Sequence, residues 1–173
     1  MIAILHNIRG QHNVGSIFRT SDAVGVEKIY LSGITPSPVD LFNEPRPKIK
    51  KVALGAENFV PWERAGNIYS LIKKLKRDGY KIFAIEQGKK SISCFEARIP
   101  KDTKAVLIVG NEVKGLPPAI VRRAHKVIEI PMGGGKMLRE VTHPKNKPEE
   151  RRKESLNVAV AFGVVAYSVV FGS

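Results

Sequence analysis

The stretch from Val106 to Met132 constrains the fold more than any other part of the sequence. It begins with a short apolar run, breaks at a loop bounded by Gly110 and Gly115, continues with a helical pattern over residues 117–124, and ends in a second apolar run before Pro131. This order predicts strand, loop, helix and strand, the repeating unit of a parallel sheet. Ligands of such sheets bind outside the carboxyl ends of the strands, so we expect a site beside Gly110 and Pro131.

Five apolar runs in all predict strands, at residues 2–5, 28–32, 81–85, 106–109 and 127–130. Helical patterns separate most of these runs, with Asn13 and Asn67 predicted to cap the two longer helices. The sequence therefore predicts an α/β fold with a mainly parallel sheet flanked by helices. A chain of 173 residues is long enough for one buried core, and we expect a single domain over residues 1–173.

Composition narrows the class of protein further. The single cysteine, Cys94, excludes an internal disulfide and a cysteine-clustered zinc site, and it fits a reducing cytosol. No metal site is predicted, and the first residues do not have the pattern of a secretory signal. The uncharged run 155–173 approaches the length of a membrane helix, but polar residues such as Asn157 interrupt it, which favours a buried helix. We expect a cytoplasmic protein with no membrane partner.

The charge of the chain points to a polyanionic partner. Twenty-nine Lys and Arg residues against sixteen Asp and Glu give a formal net charge of +13. Such a field attracts nucleic acids and anionic lipid surfaces. An aromatic content of 7% argues against a platform that stacks single-stranded bases. The alternative is a soluble protein that is merely basic.

The glycine-rich loops of this chain do not match those of nucleotide-binding proteins. The loop from Gly110 to Gly115 lacks the Lys-Ser/Thr pair that a phosphate loop requires, and Lys136 after three glycines is followed by Met. No G-x-G-x-x-G pattern follows the first strand. An ATPase or a dinucleotide-dependent enzyme is therefore disfavoured.

Three blocks of sequence occur in an order that carries more information than any one of them. They are Asn13-Val-Gly-Ser-Ile-Phe-Arg19-Thr-Ser-Asp22-Ala-Val-Gly25, then Ile108-Val-Gly-Asn-Glu112-Val-Lys-Gly115-Leu with Ile130-Pro-Met132, and finally Ser155-Leu-Asn157-Val-Ala-Val-Ala. Together they resemble the three motifs of the SpoU/TrmH family of RNA ribose 2′-O-methyltransferases, in the SPOUT class. The resemblance spans nearly the whole chain. It implies a carboxy-terminal trefoil knot, a homodimer, S-adenosylmethionine as cofactor and structured RNA as substrate.

Arg19 is the residue that we expect to act in catalysis. A ribose hydroxyl is a weak nucleophile, so methyl transfer needs its proton removed or the developing oxyanion stabilised, with the reactants aligned. The matching arginine is regarded as catalytic in the family, but a guanidinium hardly loses its proton. We therefore expect Arg19 to hold the neighbouring phosphate and the oxyanion, with that phosphate or water helping to remove the proton. Gly15 and Ser16 are expected to leave room for the substrate. The alternative is a surface ion pair with Asp22.

Other motif residues receive roles from the resemblance. Glu112 is expected to order the site by meeting Asn13 or Arg19, unless it is a solvated carboxylate. Ser155 and Asn157 either cap the last helix or line the reaction centre. Six residues are expected to contact the cofactor: Gly110, Ile130, Met132, Leu156, Ile85 and Gln87. Five basic residues are predicted to bind RNA: Arg9, Arg46, Lys48, Lys136 and Arg139.

Residues 133–154 depart from the family pattern, in which a short loop joins the second and third motifs. Here the connection has twenty-two residues rich in Lys, Arg, Glu and Pro. Such a composition favours an exposed segment. We consider two interpretations: a charged insertion that grips RNA or covers the cofactor, and an inert one.

The sequence thus predicts a methyltransferase that modifies a ribose 2′-hydroxyl of tRNA or rRNA. We find no added RNA-recognition domain, which favours tRNA by analogy. Two rivals stay open: a non-catalytic basic RNA-binding protein with the same fold, and a methyltransferase that acts on a base or on a protein.

Overall fold

The computed structural model describes residues 1–88, 90–132 and 155–172. These residues form a seven-stranded sheet in which every pair of neighbouring strands is parallel. The strands are β1 (Ile2–His6), β2 (Lys28–Ser32), β3 (Trp62–Ala65), β4 (Lys81–Ile85), β5 (Ile92–Ser93), β6 (Ala105–Val109) and β7 (Lys126–Glu129). Their order across the sheet is β3-β2-β1-β6-β4-β7-β5, so β1 and β6 lie near its centre.

Helices cover both faces of the sheet. They are α1 (Gln11–Ala23), α2 (Pro47–Ala53), α3 (Ala56–Phe59), α4 (Ile68–Arg77), α5 (Pro118–Val121) and α6 (Val158–Phe171). One core packs α1, α2, α3 and α6 against the sheet, and the other packs α4 and α5 against the opposite face. Side chains alternate between the faces of a strand. In β1, accordingly, Ala3 and Leu5 enter the first core while Ile2 and Ile4 enter the second.

The α/β fold with a parallel sheet is confirmed, and each of the five predicted strands lies within one residue of an observed one. β1 and β6 are buried along their whole length, which explains why they read as continuous apolar runs. The strands β3 and β5 were not predicted. Both lie at the edges of the sheet and contain only partly buried or exposed residues, so neither has the apolar pattern of a central strand.

The predicted cap of α4 is confirmed, and that of α1 is wrong. The Asn67 side chain accepts hydrogen bonds from the backbone N–H groups of Tyr69 and Ser70, as a capping residue does. Helix α1 begins earlier, at Gln11, and the residue before it has no side chain to cap it. Asn13 therefore lies inside the first turn of α1, where its side chain is available for contacts outside the helix.

The last helix packs on the core as expected. Phe162, Val165 and Ala166 of α6 are buried in the core that contains α1. Among the described residues, no helix is both long and apolar enough to cross a membrane. The connection between β7 and α6, residues 133–154, lies outside the described residues. The predicted insertion therefore lies outside the described residues, with Lys136 and Arg139. The same holds for the chain path on which the expected knot depends.

Candidate active site

A cleft of about 280 Å³ lies at the carboxyl edge of the sheet. The segments after β4, β6 and β7 and the start of α6 form its walls. All six residues predicted to contact the cofactor line this cleft: Ile85, Gln87, Gly110, Ile130, Met132 and Leu156. Glu112 and Ser155 line it too. A larger cavity of about 460 Å³ lies beside Cys94 and the last turns of α6, but none of the predicted site residues lines it.

The loop after β6 folds tightly back on itself. The Asn111 side-chain oxygen accepts hydrogen bonds from the N–H groups of Val113 and Lys114, at 3.0 and 2.9 Å, and the Gly115 N–H donates to the Asn111 carbonyl at 2.9 Å. Gly110 has to be glycine here, because a Cβ would lie 2.6 Å from the Gly115 carbonyl carbon. This compact turn holds the backbone close to the cleft.

A carboxylate that follows the neighbouring strand ties this loop to a second wall of the cleft. The Glu86 side chain, just after β4, accepts a hydrogen bond from the Leu116 N–H at 2.6 Å and another from the Gln87 N–H at 3.1 Å. Gly115 has a φ of +64° and packs against the same carboxylate. Neither Glu86 nor Asn111 was among the predicted site residues. Their position directly after a strand end is the signal that could have identified them.

The Glu112 carboxylate joins the loop after β6 to the first motif. It accepts hydrogen bonds from the backbone N–H groups of Gly10 at 2.9 Å and Arg9 at 3.1 Å, and from the Asn13 side-chain amide at 2.9 Å. Burial alone raises the pKa of this carboxyl, but the three hydrogen bonds together lower the pKa below its ordinary value of 4.5. Glu112 is therefore ionised at neutral pH, and the prediction that it meets Asn13 agrees with the structure.

Asn13 in turn joins Glu112 to the third motif. The Asn157 side-chain N–H donates to the Asn13 side-chain oxygen at 3.0 Å. The Asn157 oxygen accepts from the N–H groups of Ala159 at 2.9 Å and Val160 at 3.4 Å, which caps α6. Asn157 thus caps the helix and also contacts the residues of the site. We call Glu112, Asn13 and Asn157 the polar chain.

The orientation of the two amide groups in the polar chain follows from the groups at its two ends, the Glu112 carboxylate and the N–H groups of α6. An ionised carboxylate only accepts hydrogen bonds, so Asn13 turns its NH₂ group toward Glu112. The Asn13 side-chain oxygen then faces Asn157, so Asn157 has to turn its NH₂ group toward Asn13. The Asn157 side-chain oxygen is left facing the free N–H groups at the start of α6. The polar chain thereby joins Asn13 to Glu112, which is 99 positions later in the sequence, and to Asn157, which is 144 positions later.

Arg19 is not brought to the cleft of its own subunit. Its side chain is exposed on α1 and does not line the cleft. The alternative ion pair with Asp22 does not form among the residues that the structure describes. Helices α1 and α6 lie side by side, since a Cβ on Gly163 would be 3.7 Å from the Thr20 methyl group. The residue next to Arg19, Thr20, faces α6, while the exposed Arg19 side chain does not line the cleft.

Gly15 has a different role from the one expected. It is buried, and a Cβ there would lie 2.6 Å from the Ile49 carbonyl oxygen and 3.2 Å from the Val52 Cβ. The glycine lets α1 approach α2 closely, so it does not leave room for a substrate. The expectation for Ser16, which is partly exposed on α1, is unaffected.

Three of the five residues predicted to bind RNA are among the described residues, and none of these three lines the cleft. Arg9 is exposed beside the polar chain, since its backbone N–H donates to Glu112. Arg46 directly precedes α2, and Lys48 is exposed in the first turn of that helix. The Arg46 Nε is buried without a hydrogen-bond partner among the described residues.

The cleft suits S-adenosylmethionine, the cofactor implied by the motifs. Ile85, Ile130 and Leu156 provide apolar surface for a flat base, while the glycine-bounded turn presents backbone groups and Gly110 leaves space for close approach. Pockets for small ligands combine apolar walls with a few polar groups in this way, although about 280 Å³ is near the small end of their range.

Comparison with known proteins gives a consistent result. The model of the family described as "SpoU rRNA Methylase family" matches residues 1–138. The tRNA (guanosine(18)-2′-O)-methyltransferase of Aquifex aeolicus is 32% identical over 96% of this chain and 67% of its own length. The 23S rRNA (guanosine(2553)-2′-O)-methyltransferase RlmP of Bacillus subtilis is 27% identical over 96% of this chain, which spans only 56% of that protein.

Solved structures agree with these relatives. The AdoMet-bound rRNA methyltransferase of Sinorhizobium meliloti superposes with a TM-score of 0.76 at 27% identity, covering 97% of this chain and 54% of the other. A structure described in terms of 2-OH methylation of C/U34 on tRNA superposes with a TM-score of 0.73 at 26% identity. In that case 99% of this chain and 94% of the other are covered, so the two chains are nearly equal in length.

Proposed function

Because the chain belongs to the SpoU rRNA methylase family, RNA ribose 2′-O-methyltransferases of the SPOUT class, we propose that it transfers a methyl group from S-adenosylmethionine to a ribose 2′-hydroxyl of a tRNA. The observation that carries the proposal is the polar chain, which joins all three family motifs beside one cleft. A tRNA is preferred because the Aquifex aeolicus relative at 32% identity is named as a tRNA methyltransferase and a solved structure at 26% identity is described in terms of tRNA. The reaction is proposed to take place in the cytoplasm.

Different groups have different roles in the proposed reaction. The cofactor supplies an electrophilic methyl group on a sulfonium. Glu112 is a positioning residue, because its pKa is low and its oxygens already accept three hydrogen-bonded groups, which makes it a poor base. Arg19 holds the phosphate beside the target ribose and the developing oxyanion, while its guanidinium stays protonated. The hydroxyl proton therefore passes to that phosphate or to water.

This role requires a second subunit. Arg19 does not line the cleft of its own subunit, and the neighbouring helix α6 exposes a stripe of apolar side chains. Val160, Tyr167 and Phe171 are 51%, 48% and 63% exposed, at the spacing of one helix face. We propose a homodimer in which a second copy covers this stripe, so that Arg19 reaches the cleft of the other subunit.

Transfer of labelled methyl groups from S-adenosylmethionine to unmodified tRNA and rRNA tests the activity. A 2′-O-methyl group blocks alkaline cleavage at its position, which separates ribose methylation from base methylation. Arg19→Ala should lower methyl transfer by roughly 10²- to 10³-fold, the usual effect of removing one oxyanion donor. Its affinity for S-adenosylmethionine, measured by calorimetry, should stay within about twofold, because an oxyanion donor acts on the transition state rather than on cofactor binding.

Arg98→Ala is the matched control, since Arg98 is an exposed arginine in the loop that follows β5. It should keep the wild-type rate. Equal rates for both variants would contradict the role of Arg19. Absence of transfer by the wild-type protein to every RNA would favour the rival interpretation, a non-catalytic RNA-binding protein.

A further inference from the structure

A row of side chains on α4 faces α5 and the turn that follows it. Tyr69, Lys73 and Lys76 are spaced so that they share one face of α4. At one end of the row, the Arg123 guanidinium lies 4.9 Å from the centre of the Tyr69 ring. At the other end, the Lys76 charge acts on His125, whose pKa burial lowers first and Lys76 lowers further. The row therefore lies along the α5 side of α4.

Four cations gather on this surface, which we call the α4–α5 face: Lys73, Lys76, Lys81 and Arg123. All four are exposed. None of them forms an ion pair within residues 1–88, 90–132 and 155–172; the nearby Asp78 carboxylate contacts Arg77. Like charges held close together repel each other, so an uncompensated group of this kind favours binding of a multiply charged anion.

The position of the α4–α5 face relates it to the cleft. Strand β3 ends at the carboxyl edge of the sheet and α4 follows directly, so the Tyr69 end of the row lies at the same edge as the cleft. From Tyr69 to Lys76 the row extends roughly 10 Å down the face of the sheet. A long polyanion that enters the cleft can therefore continue along this face.

An anionic membrane fits the same face poorly. The apolar residues of α4, Ile68, Ile72 and Leu75, are buried against the sheet. Of the large apolar side chains that are exposed in the described residues, only Tyr69 belongs to this face, and its ring is already covered by Arg123. Helices that bind membranes insert an exposed apolar face, which α4 does not have.

We propose that the α4–α5 face binds the phosphate backbone of the RNA substrate at a distance from the methylated nucleotide. The inference rests on the proposed function, which makes RNA the substrate, and it assigns the face a positioning role rather than a part in the chemistry. Contacts with phosphates fix the register of a protein on a nucleic acid without reading its sequence. This face would therefore raise affinity for RNA without affecting the rate of methyl transfer once RNA is bound.

The double variant Lys73→Gln/Lys76→Gln tests the proposal. Each phosphate contact contributes about 0.7 to 0.9 to the slope of log affinity against log salt concentration. Loss of the two lysine contacts should therefore lower the magnitude of this slope by roughly 1.4 to 1.8. Affinity for a tRNA transcript, measured by fluorescence anisotropy without cofactor, should fall on the order of tenfold near 0.1 M salt. In methyl transfer, KM for tRNA should rise similarly and kcat should stay unchanged.

The control variant Arg98→Gln/Lys101→Gln removes two exposed cations from a loop whose apolar residues pack into the opposite core. Its salt slope should match the wild type. Equal slopes for the two double variants would overturn the proposal. It would also be overturned if the α4 variant lost binding to phosphatidylserine vesicles or to acidic peptides while its RNA affinity stayed unchanged.

The RNA measurement separates this proposal from the proposed activity. A fall in the salt slope, found in a protein that transfers no methyl group, would support the α4–α5 face and refute the activity. An unchanged slope in an active enzyme would refute the face alone.

Discussion

Replacing Asn13 by aspartate changes one atom of the polar chain from a donor to an acceptor, with almost no change of shape. The new oxygen faces the Glu112 carboxylate across 2.9 Å, where Asn13 now donates a hydrogen bond. The other oxygen can still accept from Asn157. The substitution therefore tests the link between the first and second motifs while it leaves the link to the third motif intact.

Two effects set the loss of folding stability that we expect for Asn13→Asp. A hydrogen bond to a charged group contributes about 1.5 to 3 kcal/mol. Two carboxylates about 3 Å apart repel each other by about 1.4 kcal/mol even at the dielectric constant of water. Protonation of one carboxyl limits the total, because it costs about 4 kcal/mol at about pH 7 for an ordinary aspartate pKa. We expect Asn13→Asp to lower the free energy of unfolding by roughly 3 to 4 kcal/mol at about pH 7.

The loss should also depend on pH in a definite direction. Repulsion raises the folded-state pKa of the new carboxyl above its unfolded value of about 3.9. The folded variant then binds a proton more readily than the unfolded chain, so its deficit shrinks as the pH falls toward that unfolded value. Once protonated, the introduced carboxyl can donate a hydrogen bond to Glu112 again. Urea unfolding followed by circular dichroism between about pH 4.5 and pH 7.5 measures this trend.

Asn67→Asp is the matched control. Asn67 uses its oxygen to cap α4, accepting from Tyr69 and Ser70, and aspartate caps a helix equally well. This variant should stay within about 0.5 kcal/mol of the wild type. Equal stability of the two variants at neutral pH would refute the proposed orientation of the polar chain.

Three further predictions concern neighbouring parts of the structure. Glu112→Gln should lower stability by about 1 to 2 kcal/mol at neutral pH; because the folded pKa of Glu112 lies below 4.5, the difference from wild type should shrink as the pH falls below that value in urea titrations. Gly15→Ala should cost about 1 to 3 kcal/mol in thermal unfolding, since the new methyl group would lie 2.6 Å from the Ile49 carbonyl. Gly163→Ala, whose Cβ would be 3.7 Å from Thr20, should instead be neutral or stabilising.

The cleft was predictable because its position follows from a rule about parallel sheets. Apolar runs located the strands, and the loops at their carboxyl ends supplied residues such as Gly110 and Ile130, which line the cleft. The edge strands β3 and β5 could not be located in this way. They are short and only partly buried, so their side chains do not follow the apolar pattern of a central strand.

The role of Asn13 shows what local patterns leave out. An asparagine near a helix start is a reasonable cap, but the groups that determine its contacts, Glu112 and Asn157, are 99 and 144 residues away. Gly15 was misjudged for a similar reason, because its neighbour α2 belongs to a segment with no clear periodicity. Arg19 remains a prediction, since its proposed target lies in another subunit.

The long separations within the polar chain also bear on how the protein folds. Closing a long loop costs more chain entropy than closing a short one, and proteins rich in such distant contacts fold slowly. Neighbouring strands such as β1 and β2 can pair through a short crossover, whereas the contact between Asn157 and Asn13 closes a loop of 144 residues and costs more chain entropy. The binding site should consequently be among the last parts of the molecule to take shape, and a partly folded chain would have much of its sheet but no working cleft.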